Sequence, residues 1–424
     1  MGNPTVLDLF SWCWGLSEWF FNLRYEFVWH IEMDKNACET LKTRIMFHFL
    51  RQNNKLSEYL DFLIWKKTRD YFVEKYNLQN QLDKVYNIEI SDFTYDGILK
   101  KIRSNLGKRT LNLIIWWPPC QTYSQIWRAR VWEKINQDSR NFLYIQYVKF
   151  LKDLQPEMFV FENVPWLKTA WKWKYFSDIK KAINEVWYEF EAREQYMPDY
   201  WIPQNRKRLI IIWWRKWLKK INHYPNFSSL KKRYSYKVND FLKDLIPINH
   251  GWWEYIMPYK WENKLLNVLW IRQSWLNFVT YHITRPIREL DRKIYKIAVQ
   301  KYNNKEKLKY NELPENLQTH KNKSIFLNRF NVVSGNDYVT STIVAHLSSD
   351  GHYYIHPDIK QNRSISIREA ARLQTFPDDF QFEGSRTSIF KQIWNAVPPM
   401  FSEIVAKKLR SYFKIETTTN EKDI

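Results

Sequence analysis

The strongest constraint on the fold is an alternation of short apolar runs with longer stretches of helical period. The runs are Val6–Phe10, Phe27–Ile31, Tyr86–Ile90, Leu111–Ile115, Met158–Phe161 and Leu209–Ile212; helical pattern begins near Leu16, spans Lys35 to about Phe49, and covers Asn141–Leu154. Strands alternating with helices predict an α/β fold with a mostly parallel sheet. The first unit reads as strand, tight turn (Ser11–Gly15) and helix, and the second run ends on an acidic residue, Glu32. A nucleotide-binding βαβ unit opens in this way. Residues 50–85, amphipathic and mixed in charge, read as an inserted helical pair. From about 217 the pattern becomes irregular, aromatic and basic, ending in the polar stretch Gln300–Lys323, so a second, less regular domain is expected there. Helical period returns at Ser366–Gln374 and Met400–Tyr412, and residues 414–424 read as a disordered tail.

Charge and cysteine usage narrow the function classes. Sixty-six Lys and Arg against 45 Asp and Glu leave a net charge of +21, which favours a polyanionic partner. Cys13, Cys38 and Cys120 form no C-x-x-C pair and are odd in number, so neither a disulfide framework nor a zinc site is expected. The most apolar short run, Leu209–Trp214, falls far below the roughly 18 residues that read as a spanning helix, and the start Met-Gly-Asn-Pro lacks a secretory leader. A cytoplasmic, monomeric protein without membrane contact is the expectation.

Candidate chemistry gathers at strand ends. Pro118-Pro119-Cys120-Gln121 follows Leu111–Ile115, which sets one thiol at the carboxyl edge of a central strand, where such sheets bind ligands. The next strand delivers Glu162-Asn163-Val164 to the same edge, so a carboxyl and a thiol would face one pocket. Gln204-Asn205-Arg206-Lys207-Arg208 precedes a further strand and adds cationic donors. Alone, that run would read as a solvated charged segment.

Together with Asp8-Leu9-Phe10-Ser11, Arg368-Glu369-Ala370-Ala371-Arg372-Leu373-Gln374 and Asn395-Ala396-Val397-Pro398-Pro399, these motifs stand in the order and approximate spacing of the DNA cytosine-5 methyltransferases. The chain resembles that family over nearly its whole length, except from about 217 to 330. The resemblance implies a Rossmann-like S-adenosylmethionine-dependent methyltransferase domain, 1–216 completed by 366–413, and a smaller target-recognition domain over 217–365. By the same resemblance Cys120 adds as thiolate to C6 of a flipped cytosine, Glu162 holds a proton at N3, and Arg206 and Arg208 contact the target base. Ser124 and Gln204 would contact DNA or support the pocket. Phe10, Glu32, Met33, Asp92, Phe93, Pro118, Asn395 and Ala396 are similar to the cofactor-binding positions; Asp8 and Ser11 fit equally well as turn and helix-start residues. Double-stranded DNA would be the partner, S-adenosylmethionine the cofactor, and a restriction endonuclease a companion. His346, His352 and His356 lack companion ligands, so no metal is expected. Two other readings stay open: the tRNA-methylating branch of the family, whose usual Cys-Phe-Thr tripeptide is absent, and a non-catalytic DNA-binding remnant.

The remnant arises from one departure. Trp12, Trp14, Trp19, Trp116, Trp117, Trp127, Trp166, Trp187, Trp201, Trp394 and one of Trp213 or Trp214 stand where the family has glycine. The chain holds 8 Gly and 23 Trp, whereas usual composition at roughly 7% predicts about 30 Gly. Tryptophan forced into glycine conformations costs about 1 to 3 kcal/mol at each site in backbone strain. Decay would scatter over residue types, yet the catalytic motifs are intact. We therefore expect UGA codons that the cell reads as glycine, and several of these tryptophans at positive φ or crowding the cofactor pocket.

Overall fold

The computed structural model describes residues 2–13, 15–117, 143–165, 183, 185–216, 224–227, 236–320, 323 and 327–413. In chain order the main elements are β1 (Thr5–Leu9), α1 (Ser17–Asn22), β2 (Glu26–Glu32), α2 (Lys35–Gln52), α3 (Leu56–Leu63), α4 (Arg69–Tyr76), α5 (Gln79–Leu82), β3 (Val85–Asn87), α6 (Tyr95–Leu106), β4 (Leu113–Trp116), α7 (Leu143–Leu154), β5 (Met158–Asn163), β6 (Tyr188–Tyr196) and β7 (Lys207–Arg215). There follow β8 (Ile256–Pro258), α8 (Lys264–Val268), β9 (Phe278–Thr280), α9 (Glu289–Asn303), α10 (His346–Ser349), α11 (Ile367–Leu373), α12 (Arg386–Asn395) and α13 (Pro399–Arg410).

The sheet order is β3-β2-β1-β4-β5-β7-β6. Strands β1 to β5 pair in parallel, and β7 runs antiparallel to both of its neighbours. Two consequences position the site. After β3 the chain crosses to β4 on the far side of β1, so the loops leaving β1 and β4 diverge and open a crevice at the carboxyl edge. Because β7 is reversed, its beginning shares that edge with the end of β5, with Asn163 opposite Leu209 and Glu162 opposite Ile210.

Period-2 alternation divides the strand side chains between two faces. Leu7, Leu9, Ile114 and Phe159 meet Ile98 and Ile102 of α6 and Phe150 and Leu151 of α7. Val6, Leu113, Ile115, Met158 and Val160 meet Phe20 of α1 and Phe401, Val405 and Leu409 of α13. Both faces are covered, which is why the strands read as unbroken apolar runs. The chain's last described helix thus seals the first: Tyr25 Oη donates to the Ala406 carbonyl at 3.0 Å, and the Ser402 hydroxyl donates to that of Leu16. A separate apolar cluster surrounds α9, with Ile294, Tyr295 and Val299 against Leu308, Phe330 and Ile355.

Several expectations shift. The strand expected over Tyr86–Ile90 is Val85–Asn87, and residues 50–85 hold three helices rather than a pair. Strand β6 and helices α6, α9 and α12 were not anticipated. Glu289–Asn303 is a 15-residue helix running into the stretch read as polar and irregular. No helix among the described residues is long and apolar enough to cross a membrane.

Candidate active site

At the carboxyl end of β2 the Glu32 side chain is buried. Its Oε2 accepts the Trp12 N–H at 3.0 Å and its Oε1 the Asp34 N–H at 2.8 Å. Burial pushes the carboxyl up to about 7, opposed by these backbone donors. Residue 12 reaches the carboxylate because the loop after β1 turns through positive φ at Phe10 (57°) and Trp12 (45°). The Phe10 ring lies 5.0 Å from that of Trp116, so it bridges the ends of β1 and β4. Met33, 58% exposed, and Phe93, fully exposed, stand open at the same edge. Asp92 accepts from Gln146 at 2.7 Å and Lys149 at 2.5 Å, which ties it to α7. Asp8 is internal: its Oδ2 accepts from Ser17 Oγ at 2.6 Å and pairs with His30 Nδ1 at 2.9 Å, while Ser11 Oγ donates to the Asp8 carbonyl. That pair therefore builds the turn and the start of α1.

Where β5 meets the reversed β7, Arg208 Nε lies 2.6 Å from Glu162 Oε1. Burial raises the Glu162 carboxyl to about 7, and the positive charges of Arg208 and then Arg206 oppose the shift. A carboxyl so placed can hold a proton near neutrality. Arg206 is buried and donates to the carbonyls of Ile343 at 3.3 Å and Ala396 at 3.4 Å. Gln204 is fully buried. Its amide N–H groups donate to the Leu373 carbonyl (2.7 Å) and Gln374 Oε1 (2.6 Å), and its oxygen accepts the Ile343 N–H (3.0 Å). Both ends of the amide are thus engaged inside the protein. Gln374 passes the chain of contacts on by donating to the Ala396 carbonyl at 2.5 Å. Asn395 donates to the Lys391 carbonyl within its own helix.

Pro118, Cys120 and Ser124 lie outside the described residues. Trp117, the last described position before them, continues directly from β4 beside the Phe10–Trp12 loop, its N–H donating to the Leu9 carbonyl at 3.2 Å. The structure brings together Phe10 with Glu32, and Glu162 with Arg208. It joins Gln204, Arg206 and Ala396 behind them. Thr342 and Ile343 were not singled out from sequence; Thr342 Oγ1 donates to the Asn205 carbonyl at 2.5 Å. The three histidines are separately engaged, His352 with Tyr295 (2.9 Å), His356 with Glu369 (3.4 Å), and His346 at the start of α10. Among the described residues no group of His, Cys, Asp and Glu is arranged to hold a metal.

Comparison with known proteins decides the family. The model of the family described as C-5 cytosine-specific DNA methylase matches residues 48–411. The chain belongs to this family. The type II methyltransferase M.Bpa9945I of Bacillus paralicheniformis is 36% identical over 96% of this chain and 98% of its own. The type II methyltransferase M1.HphI of Haemophilus parahaemolyticus is 23% identical over 98% of this chain and 88% of its own. Among solved structures, an E. coli prophage-encoded protein named as a DNA modification methyltransferase aligns with a TM-score of 0.63 at 22% identity, covering 97% of this chain and 99% of that one. That likeness shows the Rossmann-like fold. The chain is a DNA cytosine-5 methyltransferase.

Proposed function

We propose that this DNA methylase transfers a methyl group from S-adenosylmethionine to C5 of a cytosine flipped out of specific duplex sequences. Its attacking group is Cys120, and its role is the modification half of a type II restriction system. The observation that carries the reading is the Glu162 carboxyl, able to hold a proton near pH 7, at the edge shared with the strand that leads to Cys120. S-adenosylmethionine, when bound, supplies an electrophilic methyl group. Buried Glu32 and Phe10 would hold its ribose and adenine, with Met33, Asp92 and Phe93 at the base and Asn395 and Ala396 at the methionine end, where the family resemblance also assigns Pro118. Cys120, as thiolate, adds to C6 of the base. Glu162 holds the proton at N3 while charge develops, so that C5 becomes nucleophilic. Loss of the C5 proton and departure of Cys120 restore the ring. Arg208, paired with Glu162, and Arg206, fixed on two carbonyls, set the electrostatics of the pocket.

Ser124 would contact DNA. The division into 1–216 with 366–413 for chemistry and 217–365 for recognition is supported by a cleft of about 1310 Å³. Asn205, Arg285, Arg288, Arg329, Thr342 and Arg386 are among the residues lining it. Its arginines suit a phosphate backbone, as does the net charge of +21. A restriction endonuclease encoded nearby would be the companion.

The test is bisulfite mapping in a host without cytosine methylation, expressing the chain both with tryptophan and with glycine at the suspect positions. Methylation of one short sequence context by either version, lost on Cys120→Ser, is expected. Folded protein of both versions without 5-methylcytosine, or methylation surviving Cys120→Ser, would overturn the mechanism.

A further inference from the structure

Tryptophan occupies the left-handed backbone region at Trp12, Trp65, Trp187, Trp201 and Trp270, with φ of 45°, 61°, 66°, 64° and 57°. A bulky side chain is strained there and glycine is not. Trp65 and Trp270 lie outside the family motifs, yet each sits where glycine closes a helix. After α3, the Lys66 N–H donates to the Asp61 carbonyl at 2.8 Å; after α8, the Ile271 N–H donates to that of Leu266 at 3.0 Å. These six-to-one closures wrap around a left-handed residue and are the commonest use of a terminal glycine. Little burial compensates for the strain, since the two side chains remain 71% and 60% exposed.

Other tryptophans are misplaced differently. The buried indole N–H groups of Trp116, Trp213, Trp214 and Trp394 have no acceptor among the described residues, whereas a buried tryptophan ordinarily finds one. Trp29 shares that lack but has ring partners in Tyr86 and Lys101. Trp275 is outside the left-handed region, and its ring packs on Phe47 and Tyr59.

Position 12 links this pattern to the site. Its backbone N–H holds the Glu32 carboxylate at 3.0 Å, and the left-handed turn aims it there. Its side chain then crosses the crevice, with Nε1 donating to the Trp117 carbonyl at 3.2 Å. The indole therefore ties together the two diverging loops between which a ligand of such a sheet is seated. The backbone of residue 12 serves the site while its side chain obstructs it.

We propose that residues 12, 65, 187, 201 and 270 are glycines in the protein the cell makes, encoded by UGA read as glycine. Residue 12 is then a positioning residue whose N–H orients Glu32 and whose missing side chain leaves the crevice open. The role of residue 12 rests on the methyltransferase reading; the decoding does not.

Tryptic peptides of the protein from its own cells separate the two. Peptides 56–66 and 265–272 each carry one of these positions, 65 and 270. Both are expected lighter by the difference between an indolylmethyl group and a hydrogen, while 273–288 keeps the full mass of Trp275. Full-mass 56–66 and 265–272, or UGG at those codons, would overturn the decoding. For residue 12, S-adenosylmethionine binding is compared by calorimetry in two chains with glycine at 65, 187, 201 and 270, one of them also carrying Trp12→Gly. The second is expected to bind at least about tenfold tighter, or 1.4 kcal/mol. Equal affinity would overturn the role of residue 12 and leave the decoding standing. Light peptides with no binding by either chain would overturn the proposed use of S-adenosylmethionine by this chain instead.

Discussion

Two buried arginine–carboxylate assemblies share this molecule and hold their protons oppositely. At the end of β5, Glu162 faces Arg208 at 2.6 Å, and its carboxyl is pushed up to about 7 by burial. Behind it, Arg372 lies 2.6 Å from both Asp244 and Asp378, and Asp378 also accepts from Tyr259 Oη at 2.9 Å. Arg372, Arg368 and the other hydrogen bonds hold the Asp378 carboxyl down although its burial is as complete. Glu369, clasped by two Arg363 nitrogens at 2.7 Å, is likewise held well below the usual carboxylate range. Burial alone therefore does not decide a carboxyl's state; how completely guanidinium groups meet its oxygens does, since Glu32, met by backbone N–H groups, stays raised. The sparsely met carboxyl is the one suited to chemistry, and the fully met ones are staples.

The largest effect is expected from Glu162→Gln. The amide keeps the shape but cannot exchange a proton, so methylation is expected to fall by about 10²- to 10⁴-fold with the folded state retained. A radiolabelled methyl-transfer assay beside a thermal melt would show it, and undiminished turnover would make Glu162 another staple. The complementary change is Arg372→Ala, which leaves Asp244 and Asp378 buried without their main partner. A loss of about 3 to 5 kcal/mol is expected by denaturant unfolding; a loss below about 1 kcal/mol would mean that the cluster is not structural.

Much of this was legible in sequence, for a physical reason. Strands covered on both faces announce themselves as apolar runs, and ligand-binding residues of such sheets sit immediately after them, so Glu32, Cys120 and Glu162 stood out by position. Strand β6 did not, because an edge strand reading Glu-Phe-Glu-Ala-Arg-Glu-Gln over 189–195 is half exposed. The interior partners of Gln204, namely Ile343, Leu373 and Gln374, were not legible, because they come from remote sequence. The glycine-like roles of residues 65 and 270 needed backbone angles, which no motif reports.

The two kinds of carboxyl respond oppositely to pH. Folding raises the Glu32 and Glu162 carboxyls above the ordinary glutamate value, so the stability they favour is full below about pH 4.5 and is lost as pH rises through about 7. Glu369 and Asp378 are lowered, so theirs is present above the ordinary carboxyl range and lost as pH falls. Glu162→Gln should then stabilise the protein at pH 8 by up to about 3 kcal/mol, one pKa unit being ~1.4 kcal/mol, and leave it unchanged near pH 4.5. Equal melting shifts at both pH values would contradict the raised carboxyl.

The smallest test falls on the staple itself. Ser366 caps α11: its hydroxyl accepts the Glu369 N–H at 3.1 Å, Glu369 accepts the Ser366 N–H at 2.6 Å, and His282 Nδ1 lies 2.9 Å from the same hydroxyl. Glu369 thus serves both the cap and Arg363, which fixes α11 against the segment before it. Removing the hydroxyl leaves that ion pair in place, so Ser366→Ala should cost the cap and the contact with buried His282, about 1 to 2 kcal/mol. Methylation by the remaining folded protein should be unchanged, because α11 reaches the pocket through Gln204 and Gln374, well beyond the cap. A loss of turnover without a loss of stability would mean that the staple region does take part in the chemistry, and the division between the two assemblies would fail.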